Sequence, residues 1–195
     1  MSHPRNTHIG LMGTHGTGKT THGKRLMDQM RSGLIPMSSS NLRMISEVAR
    51  RCPYPVNQTT SEEAQLWIFH RQMLEEIEAL TDPFRFIICD RTILDSLAYA
   101  EHAGLSDVVD ACMPMALNWL ERYTQILWFR PVPGRLVEDG FRDTDPDFQK
   151  SIDSILETWI HVYHIPVQEV PRCSTVHSQN VKQPTPQNDN YRPLY

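Results

Sequence analysis

The alternation of apolar and polar positions divides the chain into short apolar runs separated by longer stretches of helical character. Residues 7–12 form a β-compatible run that ends at Gly13, and the stretch 19–31 reads as a helix, so the first unit is strand, loop, helix. A second run, 42–48, follows Ser38-Ser39-Ser40 and predicts the second strand. After the turn-rich Pro53-Tyr54-Pro55-Val56-Asn57, Thr60-x-x-Glu63 has the form of a capping box. Ala64, Trp67, Ile68, Leu74 and Ile77 then recur at helical spacing, predicting a long helix to about residue 80. Residues 84–89 predict a buried third strand that delivers Asp90 to its C-terminal edge, with a helix over 94–102 closed by Gly104.

Residues 107–122 predict one or two helices, with Pro114 as a break or restart, before a fourth strand at 125–129. Segment 130–145 holds Pro131, Pro133, Gly134, Gly140 and three arginines, and predicts a mobile loop or lid. Asp145-Pro146 opens the most clearly amphipathic helix, with Phe148, Ile152, Ile155, Leu156, Trp159, Ile160 and Tyr163 on one face, and 165–170 predict a last strand. From Ser174 onward the chain is polar and aperiodic, with Pro184, Pro186 and Pro193. The expected organisation is one domain over 1–173 and an unstructured tail over 174–195. Strands alternating with helices predict an α/β three-layer sandwich, a parallel sheet of about five strands covered on both faces, with ligands at the carboxyl ends of the strands.

Composition narrows the function classes. A chain of 195 residues with net charge −4 and a pI near 6.1 reads as a soluble protein without overall attraction to phosphate-rich polymers or anionic membranes, so any nucleic-acid contact has to be local. Cys52, Cys89, Cys112 and Cys173 lack C-x-x-C spacing and fit reduced thiols with packing roles in a cytosolic compartment. No apolar run is long enough to cross a bilayer and residues 1–7 show no leader pattern, so a cytoplasmic protein is expected. His161 and His164 lack carboxylate or cysteine partners, and no zinc site is assigned to them.

The strongest chemical signal is Gly13-Thr14-His15-Gly16-Thr17-Gly18-Lys19-Thr20, which matches G-x-x-x-x-G-K-[ST] between a strand and a helix. Glycines let backbone N–H groups turn around phosphates, Lys19 reaches the β/γ-phosphates, and the Thr20 hydroxyl ligates Mg²⁺. The expected nucleotide-binding set is Gly13, Thr14, His15, Gly16, Thr17, Gly18, Lys19, Thr20 and Thr21, and the expected metal set is Thr20 and Asp90. The His15 side chain is expected to be a solvent-exposed position without a role of its own. The third strand ends Asp90-Arg91-Thr92-Ile93 and no N-K-x-D occurs, which counts against a GTPase switch.

Over residues 7–170 the chain resembles the P-loop kinases of the nucleoside and nucleotide monophosphate kinase group, including thymidylate kinase. The resemblance is carried by the Walker A loop, by Asp90-Arg91 at the end of the third strand and by the arginine-bearing lid 135–142. Ile45-Ser46-Glu47-Val48-Ala49-Arg50, Asp90-Arg91-Thr92-Ile93-Leu94-Asp95 and Asp139-Gly140-Phe141-Arg142 are similar to a branch containing ribosylnicotinamide kinase-like proteins and many bacteriophage P-loop kinases. That resemblance implies an ATP- and Mg²⁺-dependent phosphotransferase with Lys19, Glu47, Asp90, Arg91 and Arg142 in catalytic roles. Glu47 stands where deoxynucleoside kinases carry the carboxylate that takes the acceptor proton, and Asp90 is the alternative for that work or for holding Mg²⁺ and its waters. Arg91 resembles an acceptor- or phosphate-binding arginine, while Arg142 and Arg135 would close over the triphosphate. Arg71 falls where related kinases contact the acceptor, with a purely structural arginine as the equal alternative. Trp67 and Phe69 are read as core rather than as base-stacking residues.

The stretch Cys52-Pro53-Tyr54-Pro55-Val56-Asn57, followed by Glu63-Ala64-Gln65-Leu66-Trp67-Ile68, looks like phage members of this branch, some of which phosphorylate the hydroxymethyl group of 5-hydroxymethyluracil in DNA. The resemblance therefore implies that acceptor first, in the host cytoplasm if the chain is phage-encoded. A free (deoxy)nucleoside or nucleoside monophosphate stands close behind, and a non-kinase P-loop ATPase is the third reading. The acidic balance counts mildly against DNA, for which Arg43, Arg50, Arg51 and Arg71 would have to supply a local basic edge.

Overall fold

Each apolar run becomes a strand of a single parallel sheet. The computed structural model describes residues 6–32, 41–81, 86–132 and 144–171. Its strands are β1 (Thr7–Met12), β2 (Leu42–Ile45), β3 (Phe86–Asp90), β4 (Gln125–Trp128) and β5 (Gln168–Glu169), in the order β2-β3-β1-β4-β5. Central β1 pairs with β3 from Thr7↔Phe86 to Leu11↔Asp90 and with β4 from Ile9↔Gln125 to Met12↔Trp128. The expected α/β sandwich is thus present, as a P-loop NTPase fold. The connections leaving β1 and β3 run in opposite directions, so a crevice opens between their carboxyl ends, at Gly13 and Asp90.

The helices are α1 (Lys19–Arg31), α2 (Glu62–Thr81), α3 (Ile93–His102), α4 (Ser106–Leu120) and α5 (Pro146–Val162), with short 3₁₀ turns at Val48–Arg51 and Asn57–Thr59. Successive strand side chains feed two cores. Leu11, Ile88 and Leu127 pack with Met27 and Met30 of α1 on one face, while Met12, Ile87, Cys89 and Ile126 pack with α2 to α5 on the other. Helix α1 lies close to the sheet at Gly23, where a Cβ would come within 2.9 Å of Met44 Cε and 3.0 Å of Leu11 Cδ1.

Several expectations need correcting. On α2 the buried face is shifted from the one read off the sequence: Leu74 and Ile77 are exposed, and Gln65, Phe69, Gln72 and Glu76 point inward beside Ala64 and Ile68. The periodicity was misread because three of the inward positions, Gln65, Gln72 and Glu76, are polar. Ser61 rather than Thr60 caps the helix, its Oγ accepting from Ala64 N–H at 3.3 Å. Pro114 neither breaks nor restarts α4, which runs unbroken; Asp110 and Pro114 both face solvent, so water can satisfy the carbonyl that proline leaves unbonded. The lid with Arg135 and Arg142, residues 133–143, and the tail 174–195 lie outside the described residues, as do 33–40 and 82–85. Among the described residues no helix is long and apolar enough to cross a membrane.

The inward polar residues of α2 form a network under the sheet. Glu76 accepts from Gln72 Nε2 at 2.7 Å and Tyr123 Oη at 2.6 Å on one oxygen, and from Trp119 Nε1 at 2.8 Å on the other. His8 Nε2 of β1 lies 3.5 Å from that second oxygen and 3.2 Å from Cys89 Sγ, and the His8 ring stacks on Tyr123 at 4.4 Å. Burial pushes the Glu76 carboxyl up against the pull of these donors, and burial lowers His8 to about 4. His8, Glu76 and Cys89 are close enough to hold an ion, yet the Glu76 oxygens already accept three hydrogen bonds.

Two outcomes are expected. Gly23→Val should lower unfolding free energy by about 1–3 kcal/mol through overpacking, while Gly23→Ala should cost less because its closest neighbour is the flexible end of Met44; urea denaturation measures both. For His8 the folded value lies below the unfolded value of 6.5, so between pH 6.5 and about 4 the unfolded chain binds a proton that the folded chain refuses. Stability should fall as pH drops through that window, with the raised Glu76 acting in the opposite sense. His8→Phe should therefore lose less stability than the parent between pH 7 and 5 in the same titration.

Candidate active site

The loop after β1 is built for backbone to approach an anion. Gly13 has φ +138° and Gly18 φ +90°, both favouring glycine, and a Cβ on Gly13 would sit 2.3 Å from the Phe129 carbonyl oxygen. Gly18 is the residue before α1, and a Cβ there would meet nothing within 4 Å. The helix N-terminus and the open space above it suit a phosphate group.

Lys19 is buried and folds back over the loop, donating to the Gly13 carbonyl at 2.7 Å, to the Thr14 carbonyl and to Thr17 Oγ1 at 3.3 Å. Burial lowers it to about 8, Arg91 assists, and Asp95, Asp90 and Glu47 oppose. It stays largely protonated near neutral pH, and a polyanion would favour its charge further. Thr20 Oγ1 donates to Asp90 Oδ2 at 2.6 Å, which brings both residues of the expected metal set together at the crevice. A hydroxyl and a carboxylate are hard oxygen donors of the kind Mg²⁺ takes with its waters. Thr21 is exposed at the start of α1.

Arg91 ties the site together. Its backbone has φ +111°, a conformation that L-residues seldom hold without local compensation. Its guanidinium donates to Glu47 Oε1 at 2.7 Å, to Tyr99 Oη at 3.3 Å and to the Gly13 carbonyl at 3.4 Å, and lies 3.7 Å from Asp95 Oδ1. Burial works against its charge, and Tyr99, Glu47 and Asp95 more than offset it. Glu47, just before the first 3₁₀ turn, is buried and also accepts from Arg50 Nε at 3.0 Å.

Asp95 is a residue to which the sequence reading assigned no role. One oxygen accepts the Gly13 N–H at 2.8 Å and the other closes a capping box with Thr92, accepting its N–H at 2.8 Å and its hydroxyl at 2.7 Å. Burial pushes its carboxyl up, against the pull of Arg91 and Lys19. The signal was available as Thr92-x-x-Asp95, which has the spacing of a capping box. His15 is a correction: it is buried rather than exposed. Its N–H donates to Tyr99 Oη at 3.1 Å, its carbonyl accepts from Gln149 Nε2 at 2.7 Å, and its ring packs 5.3 Å from Phe148, so it clamps the loop to α3 and α5.

A cavity opens beside this cluster, lined by Glu47, Val48, Gln65, Ile68, Gln72 and Arg91 among others. Asp90 is not on its wall, so the two carboxylates that sequence could not separate face different places: Asp90 the Thr20 hydroxyl, Glu47 the cavity. Arg71 is not on the wall either; it pairs with Glu75 at 2.9 Å, as Arg51 does at 2.7 Å. With Arg50 paired to Glu47, Arg50, Arg51 and Arg71 of the expected basic edge each have their charge met within the protein. Phe69 is fully buried core, and Trp67 borders a shallow surface groove with Leu66, His70 and Arg71. Beyond the cavity, Arg130 stacks on Trp128 at 4.5 Å and pairs with Asp153 at 2.8 Å and with Glu157, tying the end of β4 to α5.

Comparison with solved structures places the fold among P-loop kinases. NadR in complex with NR superposes with a TM-score of 0.65 at 16% identity, covering 89% of this chain and 48% of that one, so this chain spans about half the NadR chain. Deoxyadenosine kinase from M. mycoides, with dCMP and dCDP, gives 0.57 at 14% identity, covering 85% and 90%. Thymidylate kinase from Ehrlichia chaffeensis gives 0.58 at 17% identity, covering 86% and 93%. At these identities the likeness establishes the fold. None of the curated proteins matches the sequence. The model of a family described as AAA domain matches residues 8–177. That match spans most of the sequence, and the chain belongs to this AAA domain family.

Proposed function

We propose that this protein is an ATP-dependent kinase that transfers a phosphoryl group to a nucleoside-type acceptor held in the cavity beside Glu47. The observation that carries the reading is the joining of two half-sites. A phosphate loop with a buried lysine shares one electrostatic cluster, Lys19, Arg91, Asp95, Asp90 and Glu47, with a cavity lined by Arg91 and Glu47. A hydrolase needs only the first half; a phosphotransferase needs both.

When bound, MgATP supplies the transferable phosphoryl group and the metal that spreads its charge. Lys19 and the loop amides bind the phosphates, and Thr20 with Asp90 holds the metal and its waters. Glu47 takes the proton of the acceptor hydroxyl. One of its oxygens accepts from Arg50 and the other from Arg91, and the carboxylate lines the cavity where the acceptor would lie. Arg91 orients Glu47 and adds positive charge between donor and acceptor sites. Arg142, in the lid, is assigned to the developing charge on the phosphoryl group. The two 3₁₀ turns that flank Pro53 and Pro55 contribute Val48, Ala49 and Asn57 to the cavity wall.

The 5-hydroxymethyluracil-in-DNA acceptor rests on sequence resemblance alone and takes second place to a free nucleoside or nucleotide. With γ-labelled ATP, label is expected on nucleosides or nucleotides and not on ordinary or hydroxymethyluracil-containing DNA. Lys19→Ala should abolish it, and phosphate release without a labelled acceptor would refute the kinase reading. A second experiment separates the two carboxylates. Glu47→Gln should lower kcat by about 10²–10⁴ with the Mg²⁺ requirement unchanged, whereas Asp90→Asn should raise the Mg²⁺ concentration needed for half-maximal rate. The reverse pattern would exchange their roles.

A further inference from the structure

The polar wall of the cavity is one-sided in its hydrogen bonding. Gln72 turns its amide nitrogen inward, donating to Glu76 Oε1 at 2.7 Å and to the Arg91 carbonyl at 3.3 Å. The carbonyl partner can only accept, which fixes the amide orientation. No described group donates to the Gln72 oxygen, which is left on the cavity side. Gln65, a residue only 2% exposed, donates its nitrogen to Thr60 Oγ1 at 2.8 Å and has a buried oxygen with no partner among the described residues. Two hydroxyls on the same wall also spend their hydrogens on the protein, Thr92 on Asp95 at 2.7 Å and Ser96 on the Ile93 carbonyl at 3.0 Å.

A buried carbonyl without a donor is costly, and its cost falls when a ligand brings the missing N–H. The remaining wall is largely apolar, with Val48, Val56 and Ile68, and Tyr99 adds an aromatic ring. This suits the flat body of a nucleobase. We infer that Gln65 and Gln72 form a donor-seeking edge that selects a nucleobase with an exocyclic amino group, as in adenine or cytosine, over one with a carbonyl there, as in hypoxanthine or uracil. An exocyclic amino group brings two N–H donors to this edge, whereas hypoxanthine and uracil bring one ring N–H beside a carbonyl that can only accept. The buried network behind the wall is what makes the edge selective: Glu76 accepts from Gln72 and so turns its oxygen outward.

The inference rests on the nucleoside-kinase reading, and matched pairs keep the two apart. Adenosine with inosine and cytidine with uridine, each as ribo- and deoxyribonucleosides, differ in the exocyclic group that the edge reads. The wild-type chain with MgATP is expected to phosphorylate the amino member of each pair with kcat/KM at least about tenfold higher. Equilibrium dialysis of the same labelled nucleosides reads the preference with no catalysis required. Gln65→Leu should collapse the ratio toward one, and Gln65→Glu, which keeps acceptor oxygens, should retain it. Equal or reversed preference in both assays, or no binding by any member, overturns the inference. Selective binding without any phosphorylated product would sustain it and instead sink the kinase reading.

Discussion

Everything at the crevice depends on keeping the Arg91 guanidinium charged while it is buried. A cation taken out of water is stable only if carboxylates and carbonyls replace its hydration, and here they come from three separate segments: Gly13 after β1, Glu47 after β2, and Asp95 and Tyr99 on α3. The arginine therefore fixes where these segments end relative to one another. Its unusual backbone conformation puts consecutive residues to opposite uses, Asp90 toward Thr20 and Arg91 toward Glu47. The phosphate loop and the cavity meet across this one side chain.

The same economy appears one layer deeper. Asp95 holds the N–H of Gly13 with one oxygen and the start of α3 with the other, so the phosphate loop and the helix that carries Tyr99 are set by one carboxylate. His15 repeats the arrangement toward α5. Behind the cavity, Glu76 collects donors from α2, α4 and the turn after it, and thereby orients Gln72. Buried polar groups of this kind add little net stability, but once satisfied they specify one arrangement, because any other leaves a charge or a carbonyl unmet.

The phosphate loop and the order of elements were legible because both are local. Gly13, Gly18, Lys19 and Thr20 act within eight residues, and the alternation of apolar runs with amphipathic stretches is enough to predict a parallel α/β sheet. Helix α2 was legible in extent but not in orientation. Its inward face carries Gln65, Gln72 and Glu76, and a rule that sends polar residues outward turns the helix toward Leu74 and Ile77 instead. Pro114 misleads for a related reason: the hydrogen bond that a proline removes costs less where the freed carbonyl can reach water, and that depends on which side of the helix is covered.

Sequence alone determined that this chain folds as an α/β protein around a Walker A loop, since motif and periodicity express interactions a few residues long; Glu47, Asp90 and Arg91 stood out only through a family resemblance. Tertiary structure alone decided that Asp90 meets Thr20 while Glu47 meets the cavity, that His15 is a clamp, and that Gln65 and Gln72 line the cavity wall. The physical reason is range. The placements of Asp90, His15 and Gln72 rest on hydrogen bonds to residues 70, 134 and 19 positions away, which exist only once the sheet has brought its strand ends together.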